Sequence, residues 1–308
     1  MQERKIISLL PAATEIICAL GLENQLVGRS HECDYPLSIQ NLPVCSSAKF
    51  LPGSSSTEID RQVKEILSDS LSIYTIDKVV LRSLAPDIII TQAQCEVCAV
   101  SLKDVELSLS DLLEKGCQVI SLEPQGLSDI YNDIQRIADQ LGVGATGADL
   151  LELFEERINI IRHKLKFITE KPKVACIEWL SPLMIAGNWT PEIVEISGGV
   201  PVLTKKGIHS AYISFEEIQK EDPDIIVLMP CGFTVERTLK EITLMLELPG
   251  WNALKAVQEN RIYVLDGNQY FNRSGPRITD SIEIMAEIIN PKQFVFGYEG
   301  KGWIRFNN

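Results

Sequence analysis

The sequence predicts an α/β protein with two similar lobes, each a mostly parallel sheet flanked by helices. One long backbone helix joins the lobes, and a ligand cleft lies between them. Three observations carry this expectation. First, Pro86-Asp87-Ile88-Ile89-Ile90-Thr91-Gln92, followed by Cys95, is echoed by Pro223-Asp224-Ile225-Ile226-Val227-Leu228-Met229, followed by Cys231. Each is a β-branched run behind a Pro-Asp turn, which reads as a buried parallel strand. Second, the surrounding parts recur in the same order. Thr14-Glu15-Ile16-Ile17 is echoed by Pro191-Glu192-Ile193-Val194, and Gln118-Val119-Ile120-Ser121-Leu122 by Arg261-Ile262-Tyr263-Val264-Leu265. Third, residues 127–167 read as helix, broken at Gly142-Val143-Gly144, with Leu150, Leu151, Phe154, Ile158, Ile161 and Leu165 at helical spacing. These features divide the chain into an N-terminal α/β lobe over 1–142, a backbone helix over 143–170 and a C-terminal α/β lobe over 171–308.

Residues 5–10 predict the first strand, and Pro11-Ala12-Ala13-Thr14-Glu15 opens a helix that Gly21 stops. A short second strand at 27–30 leads into His31-Glu32-Cys33-Asp34-Tyr35-Pro36. Pro, Gly and Ser mark 50–56 as a loop; Ile59, Val63, Ile66 and Leu67 then predict a helix. Strands are expected at 88–91 and 118–122 with a helix between them. In the second half, strands are expected at 173–177, 224–229 and 261–266, and helices at 191–197, 238–246 and 277–289.

Composition excludes several function classes. The 308 residues are 45% hydrophobic and 23% charged, enough for a sizeable core. A formal charge of −13 argues against nucleic acid or an anionic membrane as partner. No apolar run is long enough to insert in a membrane. Residues 1–10 lack the features of a secretory signal, so cytoplasmic residence is expected, with a periplasmic or surface location only if a leader had been removed. The eight cysteines are then expected to stay reduced, with Cys18 and Cys117 as small core residues.

Several side chains carry candidate chemistry. Ligands of open α/β sheets bind beyond the carboxyl ends of the strands, which is where Cys95-Glu96-Val97-Cys98 and Cys231 fall. Two thiols so spaced chelate a soft metal, attack a disulfide, or simply line a cleft. His31, Cys33, Cys95, Cys98 and Cys231 are the candidate metal ligands, with zinc or iron as the candidate ions. Glu178-Trp179 and Asn188-Trp189 place indoles in loops, where flat aromatic faces suit a large planar ligand or pack at the lobe edge. Gln92, Phe233 and Arg273 complete the candidate ligand-binding set, Arg273 as a holder of carboxylate or amide. No Walker loop, dinucleotide fingerprint, nucleophile elbow or His-Glu-x-x-His motif is present, and no catalytic residue is assigned.

The residues also carry a family resemblance over essentially the whole chain. Residues 7–16 (Ile-Ser-Leu-Leu-Pro-Ala-Ala-Thr-Glu-Ile) with Leu20-Gly21, the Pro223-Asp224 strand, 249–257 beginning Pro249-Gly250-Trp251-Asn252, and 261–266 resemble substrate-binding proteins of ABC importers. The resemblance is to the helical-backbone class that carries cobalamin and iron chelates. Ser30-His31-Glu32-Cys33-Asp34-Tyr35-Pro36, the Cys95/Cys98 pair, Glu178-Trp179, Pro230-Cys231-Gly232-Phe233 and Arg273-Ser274-Gly275-Pro276-Arg277 are similar to a cobalamin-binding branch of that class. It implies a ligand between two lobes with little hinge closure. It also implies one docking glutamate per lobe, for which Glu58 and Glu195 are the positional counterparts, although cytoplasmic residence speaks against an importer partner.

The function expected is therefore non-catalytic binding of a corrinoid such as cobalamin, or of another metal chelate or tetrapyrrole. The alternative is a cytoplasmic metalloprotein or thiol-dependent enzyme with a Cys/His metal site, and Glu178 or Glu32 as acid/base.

Overall fold

The computed structural model describes residues 4–69, 72–93, 100, 102, 105–106, 112–114 and 116–307. The chain folds into two compact units. The first holds Met1–Ser54, Glu58–Pro124 and Ser128–Glu152; the second holds Ser55–Thr57, Gln125–Leu127 and Leu153–Asn308.

In the first unit, β1 (Ile6–Ser8), β2 (Leu26–Arg29), β5 (Ile88–Gln92) and β6 (Gln118–Leu122) form a parallel sheet in the order β2-β1-β5-β6. Every residue of β1 and β5 is buried, as a two-sided parallel sheet requires. Helix α1 (Pro11–Ala19) begins with proline at its first turn, where a missing N–H costs no bond. It ends in a Schellman arrangement: Gly21, at φ +74°, donates to Cys18 O at 3.0 Å, and Leu22 donates to Ile17 O at 3.0 Å. A separate antiparallel ribbon pairs β3 (Ser46–Ala48) with β4 (Tyr74–Ile76). Helices α2 (Ser56–Ser68), α3 (Lys78–Leu84), α4 (Leu127–Gln140) and α5 (Gly144–Leu165) follow, and the unit boundary falls within α5. Asp77 caps α3 by accepting from the N–H groups of Val79 and Val80.

The second unit is built on β7 (Lys173–Leu180), β11 (Ile225–Leu228) and β12 (Ile262–Leu265), which are parallel. Antiparallel β8 (Leu183–Ile185), β10 (Ala211–Tyr212) and β13 (Trp303–Phe306) extend the sheet to the order β10-β8-β7-β11-β12-β13, and β9 (Val200–Pro201) pairs with β7. Its core gathers Ile177, Ile226, Leu228, Val264, Met245 and Trp251. Helices α6 (Thr190–Ile196) and α7 (Phe215–Glu221) precede β11, and α11 (Ile278–Ile289) packs on α6. The helix expected over 238–246 is instead two, α8 (Val235–Glu241) and α9 (Thr243–Leu246), with Thr234 capping the first. A further short helix, α10 (Lys255–Gln258), leads into β12.

The two Pro-Asp turns do the same work in each unit. Asp87 accepts from the Lys5 N–H at 2.8 Å while its own N–H donates to Lys5 O at 2.9 Å. Asp224 accepts from the Lys173 N–H at 2.7 Å, and its N–H donates to Lys173 O at 3.0 Å. Each aspartate thus clamps the start of the neighbouring strand. Cys18 and Cys117, expected in the core, are only part-buried.

Candidate functional site

Strand order points to one edge of each sheet. In the first unit the chain steps from β1 outward to β2, then returns to the other side of β1 as β5. The second unit does likewise with parallel β9 and β11 on either side of β7. Ligands of open α/β sheets sit beyond the carboxyl ends of strands at such reversals. Ser8 and Gln92 end the strands at the first; Leu180 and Leu228 end them at the second.

At the first edge a buried hydroxyl network underlies the loop after β2. Thr14 Oγ1 donates to Ser8 Oγ at 2.8 Å and lies 3.0 Å from Cys33 Sγ, and Ser8 Oγ donates to Leu10 O at 2.9 Å. Cys33 is wholly buried, so its sulfur is engaged in packing rather than presented to a ligand. His31 stands differently. It is half-buried, its ring lies 5.5 Å from that of Tyr74, and Nδ1 is 2.9 Å from Ser46 Oγ. Burial first, and then the Arg29 charge, lower its pKa, favouring neutral imidazole. Gln92 is buried at the end of β5. Cys95 and Cys98 lie outside the described residues. Among the described residues no group of three or more His, Cys, Asp or Glu side chains is arranged to hold a metal ion.

At the second edge Glu178 Oε2 accepts from Ser210 Oγ at 2.7 Å, and Ser210 Oγ accepts from the Gly187 N–H at 3.0 Å. Gly187 is required there, because a Cβ would lie 2.2 Å from Ile208 O. Asn188 follows at φ +52°, its side-chain oxygen buried with no hydrogen-bond partner among the described residues. Trp189 is 8% exposed and donates Nε1–H to Phe271 O at 2.6 Å, so it anchors two loops. Trp179 is half-buried and donates to Ser56 O at 3.2 Å. It packs edge-on against Phe233 at 5.2 Å, and the Arg237 guanidinium covers Phe233 at 4.0 Å. Phe233 is 2% exposed, the filling of that stack rather than an open wall. Cys231 is half-buried beside it, its N–H donating to Glu178 O at 3.1 Å.

The loop after β12 crosses the end of β11. Gly267 permits this, since a Cβ would meet Pro230 O at 2.2 Å, and Asn272 Nδ2 donates to Met229 O at 3.2 Å. Arg273 is 7% exposed and donates to Asn268 Oδ1 at 3.2 Å, which places it within the loop's own framework. The sequence candidates thus divide by exposure. His31, Trp179 and Cys231 retain solvent contact, whereas Cys33, Trp189, Phe233 and Arg273 support the loops from beneath. Ser46 and Arg237 were not among those candidates. Nothing local marks Ser46, whereas the i, i+4 spacing of Phe233 and Arg237 beside the capping Thr234 would have found the stack.

Comparison with known proteins agrees with this architecture. The periplasmic binding protein family matches residues 6–269. An uncharacterized ABC transporter substrate-binding lipoprotein of Bacillus subtilis, YvrC, is 23% identical over 302 residues, covering 95% of this chain and 82% of the relative. The vitamin B12-binding protein of Vibrio cholerae is 23% identical over 289 residues, 91% of this chain and 86% of the relative. Among solved structures, the periplasmic heme-binding protein RhuT of Roseiflexus superposes with a TM-score of 0.69 at 21% identity, covering 94% of this chain and 98% of that one. With two α/β units built alike and a family match through most of both, the chain belongs to the periplasmic binding protein family.

Proposed function

We propose that this protein is a non-catalytic binding protein for a metal chelate of the tetrapyrrole class, with a corrinoid as the first candidate. The carrying observation is the chemistry offered at the strand ends of each unit. The first unit offers an imidazole oriented by a serine hydroxyl, and the second offers a half-buried indole on a rigid aromatic–cation stack. An indole face suits a macrocycle and an imidazole suits its metal. Relatives named for vitamin B12 and a structural neighbour named for heme support the same ligand class. Titration of the purified protein with aquocobalamin and with haem tests it: a saturable absorption change at micromolar concentration is expected. Absence of any change, together with no heat of binding by calorimetry, overturns it.

Cytoplasmic residence belongs to the same proposal, with the protein handing its cargo to another protein rather than serving an importer. None of the six described cysteines forms a disulfide, which suits a reducing compartment. Cell fractionation with thiol trapping checks this; recovery with exported proteins overturns it. Elemental analysis of anaerobically purified protein addresses the resident metal site, for which near-stoichiometric zinc or iron would replace the chelate reading.

A further inference from the structure

We propose that His31 ligates the metal of the cargo through Nε2, with Ser46 fixing the tautomer that makes this atom available. The cargo is therefore a chelate whose metal has an exchangeable axial position. This rests on the tetrapyrrole-chelate reading above and narrows it.

One proton decides which ring nitrogen is free. Ser46 Oγ carries a single hydrogen, which we assign to its 3.2 Å contact with Ser30 Oγ. Ser30 Oγ also accepts from the Glu32 N–H at 3.2 Å. The lone pairs of Ser46 are then what His31 meets: its backbone N–H donates to Ser46 Oγ at 3.3 Å, and Nδ1 faces the same oxygen at 2.9 Å. Under that assignment Nδ1 holds the ring proton, which in neutral imidazole leaves the lone pair on Nε2. Nε2 has no hydrogen-bond partner among the described residues and is not sealed from solvent.

The ring is also held from the side. Tyr74 lies against it with the rings tilted by 50°, and Tyr74 donates its phenolic proton to Glu32 Oε1 at 3.4 Å. A hydrogen bond on the other nitrogen, fixing the ring's proton and direction, is what a ligating imidazole needs. One imidazole suffices where a macrocycle already supplies the equatorial ligands. The step is a simple exchange: the Nε2 lone pair forms a bond to the metal and one axial water leaves. No electron is transferred, and Nδ1 keeps its proton. Aquocobalamin, diaquocobinamide and ferric haem meet this requirement. A corrinoid whose axial positions are both held by cyanide, or a ferric siderophore with all six positions filled, does not.

Two measurements test the proposal. Ligand-free protein labelled with ¹⁵N-histidine is examined by long-range ¹H–¹⁵N correlation, with His31 identified by the signals missing from His31→Gln. His31 is expected as the Nδ1–H tautomer. Ser46→Ala should move it toward Nε2–H, and Ser46→Thr, which keeps the hydroxyl, should not. An Nε2–H tautomer in the parent protein, or no response to Ser46→Ala in a variant with native circular dichroism, overturns the role of Ser46. The second measurement titrates diaquocobinamide against dicyanocobinamide. The diaquo form is expected to bind at least about tenfold tighter with a shifted spectrum, a difference of roughly 1.4 kcal/mol that His31→Gln abolishes. Equal binding of both, unaffected by His31→Gln, overturns ligation while leaving chelate binding in place. No binding of either corrinoid or of haem overturns the functional reading and this inference with it.

Discussion

Trp189 donates its indole proton to the carbonyl oxygen of Phe271 across 2.6 Å, with both side chains in the interior of the second unit. The indole is thereby committed to structure. Trp189→Phe is expected to lower stability by about 1–3 kcal/mol, the cost of an unsatisfied buried carbonyl. Corrinoid affinity should stay within about twofold. Trp179→Ala, by contrast, should weaken binding by about tenfold while melting at a similar temperature. Denaturant unfolding and absorption titration on the two variants check this pair of outcomes.

Acid should release the Asp224 clamp of the second unit. Burial tends to raise the Asp224 pKa, but hydrogen bonds from the Lys255 ammonium and the Lys173 N–H outweigh it, with the charges of Lys255 and Arg261 adding, and the net shift is downward. A carboxyl lowered in the fold stabilises it above its unfolded value of about 3.9 and loses that contribution as pH falls through the folded value. Asp224→Asn should therefore be less stable than the parent near neutrality. The gap between the two proteins should begin to narrow below about pH 4 and close only once pH falls below the lowered folded value. Urea midpoints measured across this range supply the comparison.

The thiols should sort by burial. Burial pushes Cys176 and Cys18 up to about 12 and Cys45 and Cys117 up to about 11, leaving little thiolate at mild pH. A thiol reagent at pH 8 should modify these four slowly in native protein and rapidly after denaturation. Half-buried Cys231 should react ahead of fully buried Cys33 and Cys176. Mass-spectrometric mapping of the labelled sites against time reads the order directly.

Arg157 is the electrostatic pin of the second unit. It reaches Glu283 Oε2 at 2.7 Å and Asp280 Oδ1 at 2.5 Å, and donates to Thr279 Oγ1 at 2.8 Å. Arg157→Leu leaves Glu283 without its cation. A loss of about 2–3 kcal/mol is expected, below the range for a fully buried pair because Arg157 retains solvent contact. Adding Glu283→Gln should restore part of it, as a double-mutant cycle in denaturant would report.

The parallel strands were legible because β-branched runs behind Pro-Asp turns admit few other structures. Asp87 and Asp224 make the same pair of backbone hydrogen bonds, to Lys5 and to Lys173. The β3–β4 ribbon was not legible: Ser46-Ser47-Ala48 carries no β-branched residue, and its pairing with Tyr74–Ile76 comes from distant chain. Strand β13 was missed because its partner, β12, already read as a complete strand. Site residues fared by their neighbours. His31 stood out as a rare histidine after a strand and remains a proposed site residue, whereas its contact Ser46 lies fifteen positions away and only the fold brings the two together. For Trp189 the sequence left a ligand wall and edge packing both open, because loop position says nothing of burial, and its side chain is buried.

The ribbon that carries Ser46 is a sheet apart from the parallel one. Orientation of the His31 ring is thus governed by a small accessory element, while the strands beneath it answer to the core. With His31 on the cargo's metal as proposed above, drift in the ribbon would retune which metal centre is accepted. Under that proposal, a scaffold so divided would change its trim and leave its frame alone.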